Sequence, residues 1–291
     1  MNFLMYETGT AVGVAVNDGV SFRGLSELDP DYPGDLETLL AKGADLLAIG
    51  HDLKKKPILD LRQAKLRPPI ARPEKILCVG LNYQAHVDEA FRREATGFPE
   101  VFARFANTLI GCGDPIVKPA SSSKVDFEGE LAVVIGRGGK NIPKGVALNH
   151  VAGYSIFNDV SMRDYQFRGS QWTLGKNFDS SGPFGPWLVT PDDLPPGASG
   201  LAITTRLNGR VMQSANTGDV IFDVASLIEY LSSAMTLKPG DVIITGTPGG
   251  VGMSRTPQVF MRPGDHCEVE IDGLGLLRNH VTEEAPIKQF A

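Results

Sequence analysis

Glycine and proline interrupt this chain so often that it can form few long helices. The 291 residues include 33 glycines and 20 prolines, and these fall between short apolar runs rich in β-branched residues. The spacing predicts strands at residues 131–135, 151–158, 201–207 and 241–245, and one clear helix at residues 220–235. We therefore predict an α+β fold in which β structure predominates.

A proline-rich segment separates a short N-terminal part from the rest of the chain. Residues 11–22 have the pattern of a β-hairpin around an Asn-Asp-Gly turn, and a helix is expected near residues 36–48. Three prolines between residues 68 and 73 resist both helix and central strand. The sequence therefore predicts a small N-terminal αβ domain at residues 1–70 and a main domain at residues 71–291.

Charge and cysteine usage restrict the classes of partner and compartment. The formal net charge of -6 disfavours a nucleic-acid partner, which usually selects for a basic surface. The N-terminal residues lack the regions of a signal peptide, and no apolar run approaches the ~18 residues that span a membrane. The three cysteines, Cys78, Cys112 and Cys267, match no zinc or redox motif. We expect a cytoplasmic protein with reduced thiols and with neither a nucleic-acid nor a membrane partner.

Two glutamates share one face of an apolar strand. Residues two apart in a strand project to the same side, so Glu128 and Glu130 lie next to each other while the apolar residues 131, 133 and 135 face the other way. Adjacent carboxylates repel unless a cation neutralises them. Ligands that are all oxygen favour Mg²⁺ or Mn²⁺, with Ca²⁺ as a further option, over zinc. The alternative is a strand that begins at the surface with two solvated glutamates.

A third carboxylate and a lysine follow in similar settings. An apolar strand carries Asp159 at its end, where rigid backbone can aim a side chain, although a turn or capping aspartate would have the same pattern. Lys176 lies in an apolar stretch, and a partly buried lysine normally needs an anionic partner. That partner is either a carboxylate of the site or a substrate. The alternative is a lysine whose ammonium reaches the surface.

A histidine and a glutamate form the last candidate pair. If a helix begins near Tyr83, His86 and Glu89 share a face, and the carboxylate can orient an imidazole that moves protons near neutral pH. An exposed helical His–Glu pair is the alternative. The glycine-rich residues 246–252 lack the ending of a phosphate-binding P-loop, so we interpret them as a tight turn that lines a pocket.

Taken together, these segments resemble the fumarylacetoacetate hydrolase family. No single motif is specific, but six in the family's order are, and they cover about residues 75–280. The matching motifs are Gly80-Leu81-Asn82-Tyr83-x-x-His86-x-x-Glu89, Glu128-x-Glu130-Leu131-Ala132-Val133-Val134-Ile135-Gly136, Asn158-Asp159-x-Ser161-x-Arg163-Asp164-x-Gln166, Trp172-Thr173-Leu174-Gly175-Lys176, Asn208-Gly209-x-x-x-Gln213 and Asp241-Val242-Ile243-Ile244-Thr245-Gly246-Thr247-Pro248-x-Gly250-Val251-Gly252.

The resemblance implies a fold, a metal and a set of site residues. The fold is the family's mixed β-sheet roll or sandwich with a small N-terminal domain, usually in a homodimer. The implied Mg²⁺- or Mn²⁺-type metal is held by Glu128, Glu130 and Asp159. The implied catalytic residues are His86, Glu89 and Lys176, with the first two on a segment, residues 83–99, that orders over the site as a lid. The implied substrate-binding residues are Arg163, Gln166 and Thr247.

One motif departs from the family pattern. Smaller members often carry Phe-x-Lys-Pro, and here Phe105 and Ala106 are taken to occupy the Lys-Pro positions. The apolar residues 91–98 and Phe105 would suit a substrate longer than oxaloacetate, so the distal end of the substrate is expected to be held differently.

The resemblance also implies a reaction class. Family members hydrolyse, decarboxylate, isomerise or dehydrate 2-oxo acids, and each reaction passes through an enolate. We expect a metal-dependent hydrolase that cleaves a C–C bond of an acylpyruvate-like β-diketo acid, such as fumarylpyruvate, in aromatic catabolism. The alternative is a lyase or isomerase: an oxaloacetate-type decarboxylase, a 2-hydroxydienoate isomerase or a dehydratase. A metal-binding protein without catalytic activity is a third hypothesis, which the His86–Glu89 pair argues against.

Overall fold

The computed structural model describes residues 1–89 and 97–285. Within that part of the chain the strands are β1 (Asn2–Thr8), β2 (Ala11–Asn17), β3 (Phe22–Ser26), β4 (Lys65–Leu66), β5 (Ile76–Gly80), β6 (Glu100–Arg104), β7 (Leu109–Ile110), β8 (Ile116–Lys118), β9 (Val125–Asp126), β10 (Gly129–Ile135), β11 (Val151–Asn158), β12 (Ser161–Met162), β13 (Gly182–Val189), β14 (Ala202–Leu207), β15 (Arg210–Asn216), β16 (Val242–Ile244), β17 (His266–Ile271) and β18 (Gly275–Glu283).

The helices are few and short. They are α1 (Leu36–Ala41), α2 (Leu46–Leu53), α3 (Gln84–Glu89), α4 (Arg163–Gln166), α5 (Thr173–Lys176) and α6 (Val224–Ala234). The 3₁₀ turns are Leu61–Gln63, Ala106–Thr108, Lys144–His150, Pro191–Asp193, Pro196–Ala198 and Gly252–Ser254. None of these helices is long and apolar enough to cross a membrane within the described ranges. The predominance of strands confirms the predicted α+β class.

The strands form two main sheets. The larger sheet has the order β3-β2-β1-β13-β11-β10-β16-β5-β6, with β4 beside β1 and β7 beside β13, and the smaller one has the order β15-β14-β17-β18-β8. One core lies between them, where Leu131 and Ile156 of the large sheet pack with Ile203 and Val269 of the small sheet. A second core lies on the other face of the large sheet, against α1 and α2. Because β10 is covered on both faces, every one of its residues is buried.

Local sequence signals explain where the elements end. Asn208 and Gly209 both have positive φ, 52° and 78°, as the predicted two-residue hairpin between β14 and β15 requires. The helix predicted near residues 36–48 is two helices, because Gly43 takes a φ of 66° after α1 and Asp45 then caps α2. The predicted helix at residues 220–235 begins later, at Val224, where Asp223 accepts from the Ser226 amide.

The N-terminal strands are part of the large sheet. Strand β1 pairs with β13, and the predicted hairpin is present as β2 and β3. The division at residue 70 stays a prediction, and the Pro68–Pro73 segment lies between β4 and β5. The continuous sheet means that residues 1–70 share a backbone hydrogen-bond network with the rest of the chain.

Candidate active site

The register of two central strands brings the three acidic residues together. In the β10–β11 pair, Gly129 lies opposite Asn158, and the Asp159 amide donates to the Glu128 carbonyl at 2.8 Å. One carboxylate oxygen from each of Glu128, Glu130 and Asp159 lies within 4.8 Å of the others, and all three residues are buried. We call these three residues the acidic triad.

A buried lysine pairs with two members of the acidic triad. The Nζ of Lys176 lies 2.7 Å from Oε2 of Glu128 and 2.6 Å from Oδ2 of Asp159, and the residue is only 1% exposed. Burial favours a lower pKa for this ammonium, but the charges of Asp159 and Glu128 outweigh burial and raise the pKa. Lys176 is therefore a charged group of the site.

The cations around the triad balance its three charges unevenly. Burial, and then the charges of Asp159 and Glu128, raise the pKa of Glu130 well above its ordinary value. Glu128 differs, because the charges of Lys176 and Arg163 outweigh its burial and hold its pKa well below the ordinary range. A divalent cation would relieve the repulsion at Glu130. Since the donors are all carboxylate oxygens, the triad fits a cation of the Mg²⁺ or Mn²⁺ type.

Arg163 lies behind the triad rather than in the cavity wall. Its Nε donates to Asp126 at 2.9 Å, one terminal nitrogen lies 2.7 Å from Glu128, and the other donates to Gln166 at 2.9 Å. Its guanidinium is thereby directed at protein groups, and it holds Glu128 and Gln166 in place.

A further buried cation, Arg104, was not predicted. Its Nη1 donates to Oδ1 of Asp159 and its Nη2 donates to the Ser181 hydroxyl at 2.7 Å, and both side chains of the Arg104–Asp159 pair are fully buried. Phe105, assigned above to the lysine position of Phe-x-Lys-Pro, is 54% exposed. The cation instead stands two residues after Phe102, so Phe102-x-Arg104 is the better match. Strand alternation places Phe102 and Arg104 on one face, and this signal could have identified the arginine.

His86 and Glu89 form the expected pair on α3. The Nδ1 of His86 lies 2.9 Å from Oε1 of Glu89, and Oε2 of Glu89 accepts from the Gly250 amide and the Ser254 hydroxyl, each at 2.8 Å. Burial alone would raise the pKa of Glu89, but the hydrogen bonds from His86, Gly250 and Ser254 lower it. An anionic Glu89 accepts the proton on Nδ1, which leaves Nε2 of His86 as the basic nitrogen.

One cavity of about 440 Å³ connects the pair and the triad. Seven of the nine predicted site residues line it, namely His86, Glu128, Glu130, Asp159, Gln166, Lys176 and Thr247. Glu89 and Arg163 contact those residues from behind. The tertiary fold thus places the imidazole of His86 and a carboxylate cluster in the wall of the same cavity, although they lie far apart in the sequence.

The rest of the cavity wall includes aromatic side chains and two glycines. Phe102 and Trp172 meet edge to face, with ring centroids 5.5 Å apart. A Cβ on Gly80 would lie 2.3 Å from the Trp172 ring, so any side chain at residue 80 would clash with the ring in its present position. Thr247 is held by a hydrogen bond to the Gly129 carbonyl and one from Gln213. The glycine-rich turn therefore lines the cavity, as predicted.

The predicted lid is described only in part. Tyr83 precedes α3 (Gln84–Glu89), and residues 97–99 lead into β6. Residues 90–96, which include most of the apolar part of the predicted lid, lie outside the described residues. The lid stays a prediction.

Comparison with known proteins identifies the family of proteins to which this chain is similar. The family model described as fumarylacetoacetate (FAA) hydrolase C-terminal matches residues 75–282. The human protein "Oxaloacetate tautomerase FAHD2A, mitochondrial" is 40% identical over 277 residues, which cover 94% of this chain and 88% of that protein. The structure of a fumarylacetoacetate hydrolase from Exiguobacterium antarcticum is 34% identical, with a TM-score of 0.84 and coverage of 98% and 100%. A 5-carboxymethyl-2-hydroxymuconate delta-isomerase from Mycobacterium smegmatis is 32% identical, with a TM-score of 0.77 and the same coverage.

Proposed function

Since this chain belongs to the fumarylacetoacetate hydrolase family, we propose that it is an enzyme that interconverts the keto and enol forms of a small 2-oxo acid of the oxaloacetate type. A divalent cation would be held by Glu128, Glu130 and Asp159. The observation that carries the proposal is the cavity in which His86 shares a wall with Lys176 and the acidic triad. Tautomerisation needs a base for a carbon-bound proton and positive charge beside the oxygen, and this wall offers both.

The acidic triad and Lys176 would form the end of the cavity that binds the 2-oxo acid. A divalent cation on the triad would supply Lewis acidity toward the 2-oxo oxygen. Lys176 contributes a fixed positive charge, and its contacts with Glu128 and Asp159 keep the ammonium at that end of the cavity. Gln166 and Thr247 are proposed to orient the substrate by hydrogen bonds, since both line the same cavity.

His86 would move the proton. With Nδ1 directed to Glu89, Nε2 can take a proton from the carbon next to the 2-oxo group and deliver it to the 2-oxo oxygen, which gives the enol; the reverse transfer gives the keto form. Lys176 stabilises the negative charge that this removal leaves on the oxygen. The partly enclosed, aromatic wall formed by Phe102 and Trp172 excludes water from the apolar side of the substrate.

The activities for which relatives are named support this reaction over the hydrolysis expected from the sequence. The human relative is named an oxaloacetate tautomerase, and a solved neighbour is named an isomerase. Hydrolysis of a longer acylpyruvate remains the second candidate, because a fumarylacetoacetate hydrolase is also structurally similar and the cavity of about 440 Å³ has room for more than a four-carbon acid. In that reaction His86 would activate water instead of moving a carbon-bound proton.

We also propose an N-terminal domain at residues 1–70 and a catalytic domain at residues 71–291, divided at the proline-rich segment, and a homodimer, which the resemblance to the family implies. The cation would be Mg²⁺ or Mn²⁺. A cytoplasmic location stays a prediction, and the named human relative is a mitochondrial protein.

One experiment separates the two reactions. The purified protein, stripped of metal and reloaded with Mg²⁺ or Mn²⁺, is given enol oxaloacetate, and loss of the enol absorbance is followed together with product analysis. We expect metal-dependent loss of enol without release of CO₂. In parallel, acylpyruvates are tested for release of two acids. Metal-dependent acid release without any effect on the enol would replace the tautomerase with the hydrolase, and activity that survives chelation would remove the role of the triad.

A further inference from the structure

We propose that Ser254 is a positioning residue, which holds Glu89 in the orientation that directs the ring of His86 into the cavity. The proposal rests on the proposed function in one respect, namely that the His86–Glu89 pair moves a proton. Ser254 belongs to the turn Gly250–Ser254, which we call the anchor turn, and it lies 165 residues from Glu89 in the sequence.

Both oxygens of Glu89 are held by donors from two different elements. Oε1 faces Nδ1 of His86 at 2.9 Å, a contact within α3, and also accepts a longer bond from the Val251 amide of the anchor turn, at 3.4 Å. Oε2 accepts from the Gly250 amide and the Ser254 hydroxyl, each at 2.8 Å, and both donors belong to the anchor turn. The anchor turn therefore fixes the plane of the carboxylate. The hydrogen bond between Nδ1 and Oε1 then fixes the orientation of the His86 ring relative to that plane.

The hydroxyl proton of Ser254 has two acceptors within reach. The Val251 carbonyl and Oε2 of Glu89 both lie 2.8 Å from Oγ. A hydroxyl carries one proton, and a bond to an anionic oxygen is about twice as strong as a bond to a neutral one. The proton therefore goes mainly to Glu89.

The anchor turn is itself fixed to the other half of the site. The amides of Gly252 and Met253 donate to Asp126 at 2.8 and 3.0 Å, and Asp126 accepts from Arg163, which pairs with Glu128. A Cβ on Gly252 would lie 1.8 Å from the carbonyl oxygen of Val259, so the backbone there is tightly packed. Glu89 is thus aligned against a rigid element that also aligns the acidic triad.

A loss of this alignment should lower turnover more than binding. Without the Ser254 hydroxyl, Oε2 keeps the Gly250 amide as a donor and Oε1 keeps the long, 3.4 Å bond from the Val251 amide, so the carboxylate is held less firmly about its terminal bond. A hydrogen bond to a charged group corresponds to roughly ten- to hundred-fold in an equilibrium constant. We expect Ser254→Ala to lower kcat by roughly ten-fold, since Gly250 still holds Glu89. KM, and the affinities for Mn²⁺ and oxalate, should change little because Ser254 is not in the cavity wall.

The pKa of Glu89 gives a readout that a merely structural role would not move. The Ser254 hydrogen bond is among the causes that lower the pKa of Glu89, so its loss should raise that pKa. Since the proposed base, His86, must itself be unprotonated, the kcat/KM profile does not isolate Glu89, and the shift is measured on the substrate-free protein. Among the described residues, the titratable group in contact with Glu89 is His86. Arg255 follows the anchor turn in the sequence, but its guanidinium donates to the carbonyls of Gly250 and Met212.

Two variants complete the kinetic test. Ser254→Thr retains the hydroxyl and should restore both kcat and the lowered pKa of Glu89. Ser233→Ala is the matched control, because Ser233 also donates to a carbonyl three residues earlier, that of Tyr230, but has no contact with Glu89 among the described residues. The control should have the kinetics of the unchanged enzyme.

A measurement without substrate keeps this proposal separate from the proposed function. The ring nitrogens of His86, assigned with a His86→Gln variant, are followed by ¹⁵N NMR as the pH is lowered. In Ser254→Ala the low-pH step that reports protonation of Glu89 should move to higher pH, whatever the substrate is. An unmoved step together with unchanged kcat would refute the positioning role. A large fall in melting temperature or Mn²⁺ affinity, without recovery in Ser254→Thr, would make Ser254 structural instead.

Discussion

Removal of one carboxylate of the acidic triad should make the metal-free protein no less stable while it abolishes stabilisation by metal. The substitution is Glu130→Gln, which keeps the shape of the side chain and an oxygen that can accept from the Gly246 amide. Its charge is the one that the surrounding cations balance least, because burial and the charges of Asp159 and Glu128 raise the pKa of Glu130. The neutral amide has no such conflict.

The magnitude follows from the spacing of the triad. Its oxygens lie within 4.8 Å of one another, and two unit charges at that distance repel by about 3.5 kcal/mol at an effective dielectric constant of about 20. Glu130 has two such neighbours, and Lys176 offsets part of the repulsion. A cation at 100 times its Kd would stabilise the unchanged protein by about 2.7 kcal/mol. At 2–4 °C per kcal/mol, that corresponds to a rise in Tm of roughly 5–10 °C.

The variant should lose nearly all of this rise. Changes around metal ligands weaken metal affinity by up to about 100-fold. If the Kd of the variant is weaker by that factor, the same Mn²⁺ concentration is close to its Kd, and the stabilisation by metal is about 0.4 kcal/mol. The rise in Tm would then be about 1 °C. The assay is thermal unfolding at pH 7 with chelator and with graded Mn²⁺. Glu270→Gln is the control, because Glu270 pairs with Arg206 at 2.7 Å on the small sheet, away from the triad.

Two results would refute this reasoning. An equal Mn²⁺-dependent rise in Tm for Glu130→Gln and the unchanged protein would mean that Glu130 is not a ligand. A metal-free Glu130→Gln protein that unfolds several degrees below the metal-free unchanged protein would mean that the charge of Glu130 is already balanced, so that no cation is needed at the triad.

Two further substitutions test the proton carrier and the cavity wall. His86→Ala should lower kcat by about 10²–10⁴-fold with unchanged affinity for Mn²⁺ and oxalate by calorimetry, and turnover at the rate of the unchanged enzyme would remove His86 from the mechanism. Gly80→Ala places a Cβ 2.3 Å from the Trp172 ring, so we expect a loss of about 1–3 kcal/mol in unfolding free energy and a higher KM. An unchanged Tm and an unchanged KM would show that the ring moves aside freely.

The sequence by itself determined the fold class and the family. Glycine and proline between short β-branched runs limit helix length, because neither residue suits a helix interior, and this local effect needs no tertiary information. The order of six motifs along the chain identified the family. Alternation in the strand before Gly136 placed Glu128 and Glu130 on one side, since side-chain direction in a strand repeats every two residues.

Only the tertiary structure decided which charges meet. The sequence contains no relation between Arg104 and Asp159, which are 55 residues apart, or between Ser254 and Glu89, because such contacts depend on strand order and register. It also could not show that Arg163 is directed at Asp126 and Glu128 rather than toward the cavity. Local propensities fix φ and ψ, whereas the distance between two buried charges is set by the packing of the sheets that carry them.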